Sequence, residues 1–331
     1  MSRALSVGQL AVVGSGAWGT VIAILLARNG HSVALWSRRE EQAREIERRR
    51  ENVQRLPGVT LPGRVRVTSD LAECCEGAAA AFVAVPSSGL QEVVERLPEL
   101  PALVSCSKGF AGQDITRLSQ LLERAQPHAH VAVLTGPNLA PEIAAGLPAA
   151  AVAASTSASL GQMVQAWLQS PSFRIYTSPD PIGAEVGGAL KNVIALAAGM
   201  SDGLRLGDNA KASIVTRGLA EIVRLGNELG ARRETLYGLA GLGDMIATCS
   251  SRGSRNHRVG EMIARGADVE ELRSSGLTAE GIPTVRAVHA YAVERGVSLP
   301  IASEVYRVAF EGKDPSRAIS DLMTRASGSE W

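Results

Sequence analysis

A short apolar run, Leu10–Val13, leads straight into Gly14-Ser15-Gly16-Ala17-Trp18-Gly19. An apolar helical pattern follows from Thr20 to Arg28, Asn29-Gly30 stops it, and Ser32–Trp36 reads as a second strand. Few architectures accept that order. Three glycines at this spacing, between a strand and a helix that returns to another strand, open a dinucleotide-binding sheet. Gly14 permits the tight turn, and Gly16 lets the backbone approach a pyrophosphate. The N-terminus of the helix that begins around Gly19 supplies positive potential.

The end of the second strand bears on which dinucleotide. An acidic residue there would suit the ribose hydroxyls of NAD, but Trp36 is followed by Ser37-Arg38-Arg39. Guanidinium groups at this place pair with the 2′-phosphate of NADP. NADP is therefore the expected cofactor, with NAD tolerated. The alternative is that Arg38 and Arg39 simply begin the very polar helix Glu40–Glu51 as solvated charges.

Strands and helices keep alternating. Val65–Thr68, Ala79–Val85, Ala102–Ser105, Val131–Leu134, Ala149–Ala154 and Arg174–Tyr176 read as strands, with helices opening at Asp70 and near Gln91–Arg96. The pattern predicts a mostly parallel, doubly wound α/β sheet. Ligands in such sheets bind beyond the carboxyl ends of the strands. Gly14, Pro86, Lys108 and Gly136 all follow strands, so one crevice is expected to gather them. After Pro179-Asp180-Pro181 the strands cease, and helices Ile182–Met200 and Asn209–Leu229 follow, with Asp208 expected as N-cap and Gly230 as stop. This divides the chain into a dinucleotide-binding domain, 1–180, and an all-α domain, 181–331.

Within the helical part, Lys191 sits on an unusual stripe. The positions three, four and seven residues away are Ala184, Gly187, Gly188, Ala195 and Ala198, apart from Ile194, so no acidic partner lies at helical spacing. Two glycines inside a helix cost roughly 1 kcal/mol each relative to alanine. Either the glycines serve close packing while Lys191 snorkels to water, or the stripe leaves a gap for a ligand and the lysine points into it. Further on, Gly238–Gly260 holds Asp244 and Thr248, four apart and on one helical face. Beyond them Ser250-Ser251-Arg252-Gly253-Ser254-Arg255-Asn256 collects groups suited to a phosphate.

Composition removes several function classes. A net charge of +1 gives no reason to expect nucleic acid or an anionic membrane, and 4% aromatics leave little for base stacking. Cys74, Cys75, Cys106 and Cys249 form no CxxC pair and read as reduced thiols. His128 and His130 flank one alanine with no further ligand nearby, so no metal site is expected. No apolar run reaches the roughly 20 residues of a membrane span. MSRALSVGQ is too short and polar for a secretory signal, which suggests a cytoplasmic protein.

The longer motifs are specific. GSGAWGT, SKG, TGPN-x-A-x-E-x-A-x-GLPAA, LKNV-x-ALAAGMSDGLRLGDNAKA, TRGLAE, GLAGLGD-x-x-ATC and SRGSRNHRVG, running on to Ala279-Glu280-Gly281-Ile282-Pro283, resemble the bacterial NAD(P)-dependent glycerol-3-phosphate dehydrogenases. The resemblance implies a Rossmann-like domain followed by a helical one. It also implies reversible reduction of dihydroxyacetone phosphate to sn-glycerol 3-phosphate for phospholipid synthesis, and a homodimer. By motif position, Lys191 is expected as the proton donor or acceptor, grouped with Lys108, Asp244, Asn192 and Thr248. Lys108, Gly136, Asn138, Lys191, Asp244, Ser254, Arg255 and Asn256 match substrate-contacting positions. Ala17, Trp18, Arg38, Arg39, Lys108, Ala140, Arg255 and Glu280 match cofactor positions, beside Gly14, Gly16 and Gly19 of the glycine loop. Ala17 and Asn138 stand where the family often has a hydroxyl residue, and Pro141 where a lysine is common. Rival readings are a two-domain dehydrogenase acting on 3-hydroxy acids and a non-catalytic sensor built on the same fold.

Overall fold

The computed structural model describes residues 8–112, 115–251, 253–274 and 279–325. The first seven residues of the N-terminal segment and Arg252 of the Ser250–Asn256 loop lie outside these. The strands in chain order are β1 (Gln9–Val13), β2 (Val33–Trp36), β3 (Val65–Thr68), β4 (Ala78–Val83), β5 (Ala102–Ser105), β6 (Phe110–Ala111), β7 (Thr116–Arg117), β8 (His130–Thr135), β9 (Ala149–Ala154) and β10 (Phe173–Ser178). Eight of them form one sheet in the order β10-β9-β8-β5-β4-β1-β2-β3, and β6 with β7 makes a separate hairpin. From β3 to β8 the pairing is parallel; β9 runs antiparallel to β8, and β10 parallel to β9. The strand order reverses between β1 and β4, the switch point at which such sheets open a binding crevice.

Helices α1 (Ala17–Arg28), α2 (Glu40–Arg49), α3 (Leu71–Cys75), α4 (Leu90–Arg96), α5 (Leu118–Ala125), α6 (Ala140–Ala144) and α7 (Ala158–Leu168) connect the strands. Alternation along β1 shows the layering. Leu10 and Val12 pack in one core with Val21–Ala27 of α1, Ile143 of α6 and Leu160 and Val164 of α7. Ala11 and Val13 face the opposite core, with α3, α4 and α5. Helix α1 starts three residues earlier than the apolar pattern suggested, directly behind Gly16. Helix α2 stops at Arg49 because Arg50 turns left-handed, φ 54°, and its guanidinium bonds the carbonyls of Pro62 and Val65.

The rest is helical: α8 (Pro181–Gly203), α9 (Asp208–Glu228), α10 (Arg233–Tyr237), a π-helical turn at Leu239–Gly243, α11 (Asp244–Ser250), α12 (Arg255–Ala264), α13 (Val269–Ser274), α14 (Gly281–Arg295), α15 (Pro300–Phe310) and α16 (Pro315–Met323). Helix α8 is buried along nearly its whole length and packs against β8, α9, α11, α12 and α14. Gly230 ends α9 at φ +82°, as expected. Asp208 is not the N-cap. It is the first helical residue, and Gly207 at φ +82° caps without a side chain.

Candidate active site

The loops after β1, β4, β5 and β8 lie side by side. Gly14 adopts φ +119°, and a Cβ there would lie 2.6 Å from the carbonyl oxygen of Ala84 after β4. Ser107 Oγ after β5 donates to Val85 O, and Lys108 Nζ donates to Gly136 O after β8 at 2.9 Å. Gly16 faces open space, with nothing within 4 Å of where a Cβ would stand, and it caps α1 without a side chain. Among the described residues no side chain caps the first-turn N–H groups of α1, which suits a pyrophosphate. The buried polar atoms Trp18 Nε1 and both amide atoms of Asn138 have no partner among the described residues. Orphaned donors and an open glycine approach fit a dinucleotide in this crevice.

Around this loop the expected cofactor residues separate. Arg38 is exposed beyond β2, whereas Arg39 donates to Gln42 and Gln54. The Trp18 ring packs edge-on against Phe173, 6.3 Å between centroids. Ala17 opens α1 and Ala140 opens α6, whose Pro141 sits in the first turn where no N–H is needed. Asn52, 1% exposed, braces the loop from below through Ser15 O and Thr20 Oγ1, both at 2.8 Å. Its place in an arginine-rich polar stretch gave no signal of that duty.

Lys191 does not snorkel; its side chain is 9% exposed. Nor do its glycine neighbours leave a gap. A Cβ on Gly187 would lie 2.8 Å from Ala240 O in the π-helical turn, and one on Gly188 would meet Thr135 Oγ1 at 3.0 Å and the Lys108 stem at 3.6 Å. The glycines let two other segments press against α8 one turn before Lys191. The π-helical turn leads into α11, which delivers its partners, and the end of β8 holds Lys108 through Gly136 O. Lys191 Nζ lies 3.1 Å from Asp244 Oδ1 and donates to Thr248 Oγ1 at 2.6 Å. Thr248 in turn donates to Asp244 O at 2.6 Å. Asp244 Oδ2 receives Lys108 Nζ at 2.5 Å.

One carboxylate therefore faces two ammonium groups, leaving an excess of positive charge in a nearly dry pocket. Burial pushes the Lys191 ammonium down to about 8; Asp244 pulls the other way and Lys108 adds to the fall. Each ammonium has three N–H groups. Two on each lysine are placed among the described residues, so one on each is left for a ligand oxygen.

The anion-binding loop is assembled differently from its sequence reading. Ser254 caps α12, its hydroxyl accepting from His257 N–H at 3.2 Å, and Arg255 is exposed at the first helical position. Asn256 is already engaged: Nδ2 donates to Asn192 Oδ1 at 2.8 Å and Oδ1 accepts from Gly281 N–H at 2.9 Å. Asn192 and Asn256 thus lock α8, α12 and α14 together. Glu280, just before α14, receives Ser87 N–H at 3.3 Å and Ser87 Oγ at 2.5 Å, closing over the loop after β4. Burial pushes the Glu280 carboxyl up, against the pull of Ser87 and Arg255.

Comparison with known proteins agrees with this geometry. The family model described as the N-terminus of NAD-dependent glycerol-3-phosphate dehydrogenase matches residues 9–161, and its C-terminus counterpart matches 180–320. A glycerol-3-phosphate dehydrogenase [NAD(P)+] of Thermus thermophilus is 50% identical over 96% of this chain and 98% of its own length. One from Bacillus pumilus is 42% identical over 97% and 96%. The crystal structure of the Coxiella burnetii enzyme, 36% identical, superposes with a TM-score of 0.92 over 96% of this chain and 99% of that one. The chain belongs to the NAD-dependent glycerol-3-phosphate dehydrogenase family.

Proposed function

We propose that Lys191 is the general acid and base of this enzyme. Family membership gives the chain its activity: an NAD(P)-dependent oxidoreductase interconverting dihydroxyacetone phosphate and sn-glycerol 3-phosphate. The observation that carries the proposal is the pair Lys108 and Lys191 on the single carboxylate of Asp244. When bound, the nicotinamide supplies or takes the hydride at the substrate carbon. As the ketone is reduced, its oxygen gains negative charge and must receive a proton. Lys191, held by Asp244 and Thr248, keeps one N–H for that oxygen, and its lowered pKa suits donation near neutral pH. In the reverse direction the neutral amine takes the proton back.

Lys108 keeps its free N–H for a neighbouring substrate oxygen, and Gly136 and Asn138 border that place. Arg255 and the N-terminus of α12, capped by Ser254, take the phosphate. Asn192 and Asn256 hold these parts in register. Gly14, Gly16, Ala17, Trp18, Gly19, Ala140 and Glu280 border the cofactor, and Arg38 takes the 2′-phosphate of NADP. The division at residue 180, supply of phospholipid synthesis, a homodimer and a cytoplasmic location belong to the same reading. The four buried, unpaired cysteines support the location; among the described residues no helix is long and apolar enough to cross a membrane.

The direct test follows loss of reduced-nicotinamide absorbance with dihydroxyacetone phosphate, against a panel of 3-oxo acids. Turnover of the phosphorylated ketone alone is expected, and preference for a carboxylate substrate would overturn the assignment. Arg38→Ala should weaken NADPH by several-fold more than NADH, the scale of one charge-assisted hydrogen bond. Equal losses would remove Arg38 from cofactor choice.

A further inference from the structure

The Gly207–Lys211 turn has no place in the chemistry above, yet it ends in a built cluster. Asp202, in the last turn of α8, receives Lys211 Nζ from α9 at 2.7 Å and meets His257 Nε2 of α12 at 2.8 Å, both on Oδ2. Gly207 reverses the chain so that Lys211 arrives one helical turn into α9. Ligand atoms of Asp202, His257 and Glu261 lie within 4.8 Å of one another, a set that could attract a metal ion. The cation at the cluster is already supplied: it is the ammonium of Lys211.

The surface between α8 and α12 explains what the cluster is for. A Cβ on Gly199 would lie 2.0 Å from His257 O, and one on Gly260 would lie 2.1 Å from Leu196 O. The two backbones touch there, so the seat of α12 depends on backbone contact and on its polar ties: Asn256 to Asn192 near the middle of α8, and His257 to Asp202 at its end. His257 is 5% exposed and directly follows Arg255-Asn256. Burial pushes the Asp202 carboxyl up, but the bonds from Lys211 and His257 outweigh it and hold it below the usual range. It therefore stays an acceptor for both.

We propose that Lys211, Asp202 and His257 are positioning residues that fix the roll of α12 on α8 and so aim Arg255 and the first-turn N–H groups at the substrate phosphate. This rests on the phosphate-anchoring reading given above. Lys211→Met in the full chain should raise KM for dihydroxyacetone phosphate roughly tenfold, the scale of one misaimed charge-assisted hydrogen bond. Its kcat, its cofactor Kd and its kcat/KM for unphosphorylated dihydroxyacetone should stay as in the wild type. Lys211→Arg should restore KM, and His257→Leu should add little to Lys211→Met because the three act as one unit. An unchanged KM overturns the proposal. So does an equal fall for both ketones, or loss of cofactor binding, since either would mean that the cluster only holds the fold. Arg255→Ala is the control: if it leaves KM for the phosphorylated ketone unaltered, the anchoring reading itself fails, whatever Lys211→Met does.

Discussion

Glu185 and Asp244 are both buried carboxylates that join the sheet half of the molecule to the helical half, and they do opposite things. Glu185 receives Arg117 Nη1 at 3.0 Å, Ser119 N–H at 2.8 Å and Ser119 Oγ at 2.5 Å. One cation and two neutral donors satisfy it, and no charge is left over. Asp244 receives two ammonium groups and leaves one positive charge uncompensated. The first arrangement is closed and docks α8 against β7 and α5. The second stays open to a third, anionic party. Balance of charge, not burial, separates the two arrangements.

The sharpest way to break the comparison is Lys191→Ala. Turnover should fall by at least about 100-fold with cofactor affinity kept, the usual scale of acid–base catalysis; near-normal turnover would take Lys191 out of the mechanism. Asp244→Asn comes next. It leaves Lys108 and Lys191 facing each other unscreened, so the Lys191 ammonium should drop further below about 8. Ketone reduction at neutral pH should then slow by about tenfold or more, and a pH–rate profile identical to the wild type would contradict the shared-carboxylate arrangement.

Glu185→Gln should act on the other side of the comparison. Arg117 would be left without its counter-charge, at a cost on the order of 3 kcal/mol seen as a lower Tm, while kcat of the folded enzyme holds. A collapse of kcat without loss of Tm would show that Glu185 is part of the chemistry. The mildest test is the pH profile of the wild type. Reduction needs the charged lysine, so it should be flat below and decline through pH of about 8; oxidation needs the neutral amine and should rise through the same point. Parallel profiles in the two directions would exclude Lys191 as the titrating group.

Much of this was legible in the chain. The Gly14–Gly19 loop, the alternating strands and the all-helical second half follow from local patterns of period two and 3.6, which neighbours in sequence are enough to reveal. Lys191 stood out because small residues surround it. The use of those residues did not show. Gly187 and Gly188 read either as close packing or as a ligand gap; Ala240 and Thr135 fill the space, and the sequence could not choose because only the tertiary fold brings the π-helical turn and the end of β8 to that face. Asn256 read as a free anion-binding group, yet both halves of its amide are spent on Asn192 and Gly281. Ser87, Asn52 and Asp202 carry no local mark at all; each is defined by a partner far away along the chain. Asp208 had the composition of a cap, and Gly207 took the place because a positive φ was needed there.

Helix α8 carries Glu185, Lys191, Asn192 and Asp202 on a single uninterrupted rod. At about 100° and 1.5 Å per residue, Lys191 and Asp202 fall on nearly the same side, separated by about 17 Å along the axis. The rod is thus a ruler: one mark meets Asp244 and Thr248 of α11, and another meets Lys211 of α9 and His257 of α12. Lengthening it by a single residue between those marks would swing Asp202 about a quarter-turn away from His257 and Lys211 while leaving the Lys191 pocket untouched.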